Sequence, residues 1–369
     1  MTAQHVETLI IGAGQAGLST GYHLQRISRP FLIVDRNARL GDNWRAHYDS
    51  LRLYTPAKYS SLPGLAFPAR DRWGYPGRDD VADYLERYAM HFDLPVRTST
   101  AVGQLSGRAD GGFVADLGAD TITCDNVVVA TGSFGRTPHV PALACQLDPA
   151  IRQLHSSGYR NPEQLQPGPV LVVGASHSGT DIAYELATAR RTVVAGRDCG
   201  QIPVLWDSAK LRVVLPALVF LWRHILTRRT PIGRKEMQKV RAHGGPMIRV
   251  KRQDLARRGV ERHTARVTGV RSGLPALADG TVLDVRNIIW CTGFRQNFDW
   301  IDLPIAGGDG WPAEHRGVAD MVAGLYFCGL SFQYSFGSML FVGVGRDAEF
   351  IARHIAARVA GREAAAMPA

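Results

Sequence analysis

The chain has 369 residues, 45% of them hydrophobic, and a formal net charge of +10; this suits a large buried core in two or three domains and excludes a disordered polypeptide. Five cysteines (Cys124, Cys145, Cys199, Cys291, Cys328) stand singly, with neither a CxxC pair nor metal-like spacing, which argues against a disulfide framework, a zinc site or a redox dithiol. The arginines crowded between Arg223 and Arg266 lack aromatic interleaving and any DNA-binding motif, so they read as a solvated basic face, with attraction of an anionic cofactor or substrate as the alternative, rather than as a nucleic-acid surface.

The amino-terminal "MTAQHVETLI" shows no basic segment followed by an apolar run and a cleavage site, and a cytoplasmic protein is expected. The first buried strand is predicted at 8–12, "TLIIG", followed by the turn Gly12-x-Gly14-x-x-Gly17 and a helix. In such a turn the first glycine permits the tight bend, the second lets backbone approach a pyrophosphate, and the third lets helix pack on strand. A second strand, "FLIVD" at 31–35, ends in Asp35, placed to bind ribose hydroxyls, with Arg36 beside it. A third strand, "VVVATG", is expected at 127–132.

Prolines in "PHVP" (138–141) and "QPGP" (166–169) bracket a connecting segment, after which the pattern restarts near residue 168. Strand "VLVVG" (170–174) leads into Gly174-x-Ser176-x-x-Gly179, with Ser178 inside the turn, and strand "TVVAG" (192–196) is followed by Arg197. A guanidinium there suits a 2′-phosphate, where the first unit has a carboxylate that would repel one; neighbouring Asp198 keeps the unphosphorylated coenzyme open. The apolar run Val213 to Trp222 holds Pro216 and is about half the roughly 20 residues a bilayer span needs. The piece Leu211 to Leu226 around it reads as a core helix, with a channel lip or a membrane-touching patch as alternatives. Strand "IIWCTG" (288–293), strand "GLYFCG" (324–329) and a helix from Gly345 to Val359 close the chain.

Two dinucleotide-binding units with no dithiol between them imply one bound flavin and one exchangeable nicotinamide: FAD on the first turn, NADPH on the second. The expected fold is α/β, with two Rossmann-like domains and the FAD domain discontinuous. It spans 1–145 and 294–369, and the NADPH domain, 146–293, is inserted into it.

The doubled turn, "ATG" at 130–132 and "CTGF" at 291–294 resemble class B flavin-containing monooxygenases, in particular short bacterial flavoproteins similar to YUCCA-type indole-3-pyruvate monooxygenases. The resemblance covers about Val6 to Val359. It implies that Thr131, Gly132, Thr292 and Gly293 link the two domains, and that reduced FAD and oxygen form a C4a-(hydro)peroxide while oxidised NADP stays bound. It places Trp44 and Tyr54 near the isoalloxazine and matches His155 and Tyr159 to half of the family fingerprint, whose Phe and Gly are here Pro149 and Ile151. Tyr54 stands where the family often has Asn, and Gly329 is followed by Leu330 rather than the Asp of many reductases.

The expected activity is therefore an NADPH-dependent, FAD-containing monooxygenase acting on a small organic substrate and O2, with Tyr54 and His155 as catalytic candidates, no metal, no transmembrane segment and a homo-oligomer possible. An NADPH-flavin reductase or oxidase, passing electrons to a quinone, a protein or O2, is the first alternative. A non-enzymatic redox or nucleotide sensor is the second.

Overall fold

The computed structural model describes residues 3–132, 137–204, 206, 208–242 and 244–366. Its first strand, Ala3–Ile11, is the centre of a sheet in which it pairs in parallel with Phe31–Val34 on one side and with Thr121–Val129 on the other. Val96–Arg97 extends the parallel set past Phe31–Val34, and Leu325–Phe327 returns late in the chain to lie parallel beside Val127 to Val129. The amino-terminal half of Thr121–Val129 pairs instead with an antiparallel extension, Phe113–Asp116 and Gln104–Gly107.

Alternation along these strands explains why both faces are buried. Ile10, Ile33, Val128 and Tyr326 point to one side, where the helices Gln15–Arg26, Arg78–His91 and Phe341–Ala366 cover them. Leu9, Ile11, Val127, Val129 and Phe327 point to the other, against Leu105, Phe113 and Trp311. A strand buried on both faces is apolar at every position, which is why "TLII" and "VVV" show no period of two.

A second, wholly parallel sheet has the strand order Glu261–His263, Thr192–Ala195, Val170–Val173, Asn287–Trp290, Arg152–His155. It begins at Arg152, ahead of the residue near 168 where the nucleotide-binding pattern restarts. Arg152–His155 carries no apolar run and is held in register by Asn287–Trp290. The helix His177–Leu186 packs Ile182, Ala183 and Leu186 against Val170, Val172 and Val194. The sheets of the two units are thus separate, and the chain leaves the first sheet after Val129 and rejoins it after Trp290.

The apolar piece after Trp206 forms a helix, Ala209–Phe220, continued by one wider turn, Leu221–Ile225. Leu211, Leu215 and Val219 are buried and meet Tyr54, Trp222 and Val342, but Val213 and Phe220 face outward. Only one side of this helix is core. The closing helix starts at Phe341, four residues before the predicted Gly345, and runs to Ala366. Among the described residues no helix is long and apolar enough to cross a membrane, and no cluster of three metal-binding side chains occurs.

Candidate active site

The two Gly-rich turns are built alike. A side chain on Gly12 (φ +108°) would meet the Ala130 carbonyl oxygen at 2.6 Å, and one on Gly174 (φ +115°) would meet the Cys291 carbonyl oxygen at 2.3 Å. One on Gly17 would fall 1.8 Å from the Gly12 oxygen, and one on Gly179 would fall 1.8 Å from the Gly174 oxygen. Each turn is therefore locked between its own helix and the strand end that leads into "ATG" or "CTGF", and only hydrogen fits at those four positions.

The middle positions differ. A Cβ on Gly14 would meet nothing within 4 Å, so the backbone at the start of Gln15–Arg26 faces open space, and Gly14 caps that helix with no side-chain hydrogen bond. This is a cradle that fits a pyrophosphate on the positive helix end. At the second turn Ser176 donates its hydroxyl to the Gly245 carbonyl, 2.8 Å away, rather than standing free to meet a phosphate. A Cβ on Gly244 would strike Ser176 at 2.8 Å, and one on Gly245 would strike the His177 ring at 2.9 Å. Gly244 and Gly245 thus lie against the second turn. Ser178 is half-buried in the following helix.

Asp35 closes the first unit. Its Oδ2 accepts from the Ala13 amide at 2.7 Å and its Oδ1 from the Asn37 amide at 2.8 Å, so the carboxylate is fixed beside the turn; Arg36 is exposed. In the second unit Arg197 is exposed just past Thr192–Ala195. Asp198 next to it is tied to Arg252 at 2.6 Å and lies 3.9 Å from Arg262; the Arg252 hydrogen bond holds its carboxyl below the usual range. The end of this strand is therefore cationic overall despite its acid.

Between the units lies a cluster that motif reasoning missed. Tyr54 donates its hydroxyl to Asp181 Oδ2 at 3.1 Å, and Arg249 reaches the same oxygen at 3.1 Å. Asp181 is 2% exposed, and burial pushes its carboxyl up against the pull of Arg249 and of the tyrosine. Burial, reinforced by the Asp181 charge, raises the Tyr54 phenol well above its ordinary value. The Tyr54 ring packs on His177 at 4.8 Å between centroids, and burial drives that imidazole down to about 4. The one signal in the sequence was an acid inside the apolar helical run "TDIA", on the buried side of His177–Leu186.

The remaining candidates take these places. Trp44 is half-buried beside Phe341, 6.3 Å between rings, at the foot of the closing helix. His155 engages the Gly293 carbonyl at 3.0 Å and the Ser157 hydroxyl at 2.8 Å, with burial lowering its pKa. Both ring nitrogens are occupied, which makes it a brace for the "CTGF" segment. Thr292 donates to the His139 carbonyl in the same segment. Thr131 and Gly132 follow Ala130 at the first turn, and the Gly329 amide donates to Gln333 at 2.9 Å. The five cysteines are unbridged.

The family model described as pyridine nucleotide-disulphide oxidoreductase matches residues 9–202. An uncharacterised CzcO-like oxidoreductase of Geobacillus kaustophilus is 38% identical, over 95% of this chain and 99% of that one. A probable indole-3-pyruvate monooxygenase of Arabidopsis thaliana, YUCCA9, is 27% identical over 78% of this chain and 75% of its own. Among solved structures, the flavin-containing monooxygenase of Stenotrophomonas maltophilia is similar over 96% of this chain and 99% of its own, at a TM-score of 0.75 and 25% identity.

Proposed function

From the premise that the chain belongs to the pyridine nucleotide-disulphide oxidoreductase family, we propose that it is an NADPH-dependent, FAD-containing monooxygenase. It inserts one atom of O2 into a small organic substrate. The observation that carries this reading is the pair of equivalently locked turns, one ending beside the carboxylate of Asp35 and the other against Gly196, the residue before the exposed Arg197. Two such ends select two different dinucleotides. Similarity to flavin monooxygenases, over 78% of this chain for YUCCA9 and 96% for the Stenotrophomonas maltophilia structure, supports the oxygenating branch, and no cysteine pair spaced CxxC supplies the dithiol of a disulphide reductase.

Gly12, Gly14 and Gly17 hold the FAD pyrophosphate and Asp35 its ribose, while Gly174, Gly179 and Arg197 hold NADPH. The flavin supplies hydride acceptance from the nicotinamide and activation of oxygen. What this chain supplies is position. Asp181 holds the Tyr54 hydroxyl and Arg249 on one carboxylate at the seam between the units. His155 fixes the segment through which the chain returns to the first unit. The boundaries 1–145 with 294–369, and 146–293, follow the same division.

One specific observation favours the oxidase reading as an alternative. The Tyr54 hydroxyl proton is committed to Asp181, so this side chain does not offer it to an oxygen species on the flavin. Anaerobic reduction by NADPH followed by mixing with O2 separates the two. A monooxygenase holds a long-lived oxygenated flavin absorbance and releases little hydrogen peroxide, whereas peroxide released in equal amount to NADPH consumed overturns the proposal. Failure of NADPH to reduce the flavin overturns both.

A further inference from the structure

The helix Ala209–Phe220 carries apolar side chains on two opposite faces, and only one of them is enclosed. Its inward face, Leu211, Leu215 and Val219, recurs at i, i+4 and i+8 and is buried. Its outward face holds Val213, Ala217 and Phe220, at i, i+4 and i+7, on the opposite side of the same cylinder. Val213 is 80% exposed and Phe220 58%, with Ile225 at 41% in the turn that follows. Exposed large apolar side chains scattered singly need no explanation; a stripe of them along one helix does.

Charge says what covers the stripe. Residues 209–235 contain seven Lys and Arg and no Asp or Glu. On the helix, Lys210 falls to one side of the stripe and Arg212 to the other, and both are exposed. His224 stacks on Phe220 at 4.8 Å and continues the row. An apolar strip edged by long cationic side chains can sink its centre into hydrocarbon while the charged heads stay at the headgroups. A second copy of the chain fits poorly. A two-fold interface sets the same patch against itself and would bring the two cationic edges together. Anionic headgroups neutralise those edges instead.

We propose that the outward face of Ala209–Phe220, with Ile225, docks on the surface of an anionic lipid bilayer, lying in the interface without crossing it. The test is flotation of the flavin-loaded full chain with vesicles of phosphatidylcholine alone and of equal parts phosphatidylcholine and phosphatidylglycerol. Retention on the mixed vesicles, weakened by salt, is expected, with about tenfold less retention on the neutral ones. The double substitution Val213→Asp with Phe220→Asp changes only outward positions. It is expected to keep flavin content and unfolding temperature while lowering retention by about tenfold or more; Lys210→Glu with Arg212→Glu lowers it by weakening the electrostatic part. Absence of wild-type retention on mixed vesicles overturns the proposal, and so does equal retention on neutral ones. A dimer in sedimentation that the aspartate pair dissociates, without vesicle binding, assigns the face to a second copy and overturns it as well.

Discussion

Tyr54, from the first unit, donates its hydroxyl proton across the seam to Asp181, on the first helix of the second unit, at 3.1 Å, and Arg249 shares the same carboxylate oxygen. The acid is thereby one point at which the two nucleotide-binding units are fastened by polar bonds in a place sheltered from water. Low polarity strengthens such a bond and penalises any unmatched partner.

Replacing Asp181 therefore costs more than replacing Tyr54. Asp181→Ala leaves the Arg249 cation half-buried without its partner and should destabilise by about 3–5 kcal/mol, whereas Tyr54→Phe should cost about 1–2 kcal/mol. Urea unfolding of the two variants checks the order. Tyr54→Asn, which puts the amide of the monooxygenase pattern at this position, is expected to lower the peroxide released per NADPH, read by a peroxide assay during turnover.

At the first turn, folding and binding separate by position. Gly17→Ala puts a methyl 1.8 Å from the Gly12 oxygen and should prevent folding or abolish stable protein. Gly14→Ala meets open space, so stability should change by no more than about 1 kcal/mol while bound flavin falls sharply. Flavin absorbance per protein, with circular dichroism as the control for folding, gives both numbers. Equal loss in the two variants would remove the ligand-binding role of Gly14.

Under the proposed function, coenzyme choice rests on the cationic end of the second unit. Arg197→Gln is expected to raise KM for NADPH by about 10- to 100-fold and leave that for NADH within about twofold, since only the 2′-phosphate contact is lost. Arg252→Ala releases the Asp198 carboxylate from its 2.6 Å partner and should act in the same direction by repelling the phosphate. Steady-state kinetics with both coenzymes measures each effect.

Asp347, in the closing helix, gives a pH signature. Its side chain is 1% exposed, and Arg346 Nε stands 4.0 Å away. Burial, opposed by the Ser338 hydroxyl and the Arg346 charge, pushes the carboxyl up to about 6. The folded protein holds this proton more tightly than the unfolded chain does, so ionisation costs stability. The penalty is absent below about pH 4, grows as pH rises to about 6 and is full above it, about 3 kcal/mol in size. Asp347→Asn should remove that slope and leave the protein more stable than wild type at neutral pH. Unfolding free energies measured between acid and neutral pH, wild type minus variant, show whether it does.

Much of this arrangement was legible in the residues because buried parallel strands and their Gly-rich turns leave strong local patterns: "TLIIG", "VLVVG" and the positions of Asp35 and Arg197 all fell where the chain folds them. What escaped was non-local. Arg152–His155 has no apolar run and becomes a strand only because Asn287–Trp290 lies beside it. The Ser176 hydroxyl faces Gly245, sixty-nine residues onward, so no inspection of the turn alone would find its partner. The closing helix begins early, at Phe341, and inside its first turn the glycine at 343 packs on the Gly337 backbone, where a Cβ would come within 2.3 Å, so a helix-weakening residue is required there by packing.

The two locked turns also differ in what stands against them. Open space stands before Gly14, while Gly244 and Gly245 rest on Ser176 and His177 at the second turn. A cofactor seated once and kept needs no door. Under the proposed function, one that must come and go on every cycle uses the turn whose Ser176 hydroxyl is already engaged by the Gly245 carbonyl, so its arrival and departure would be tied to that one bond.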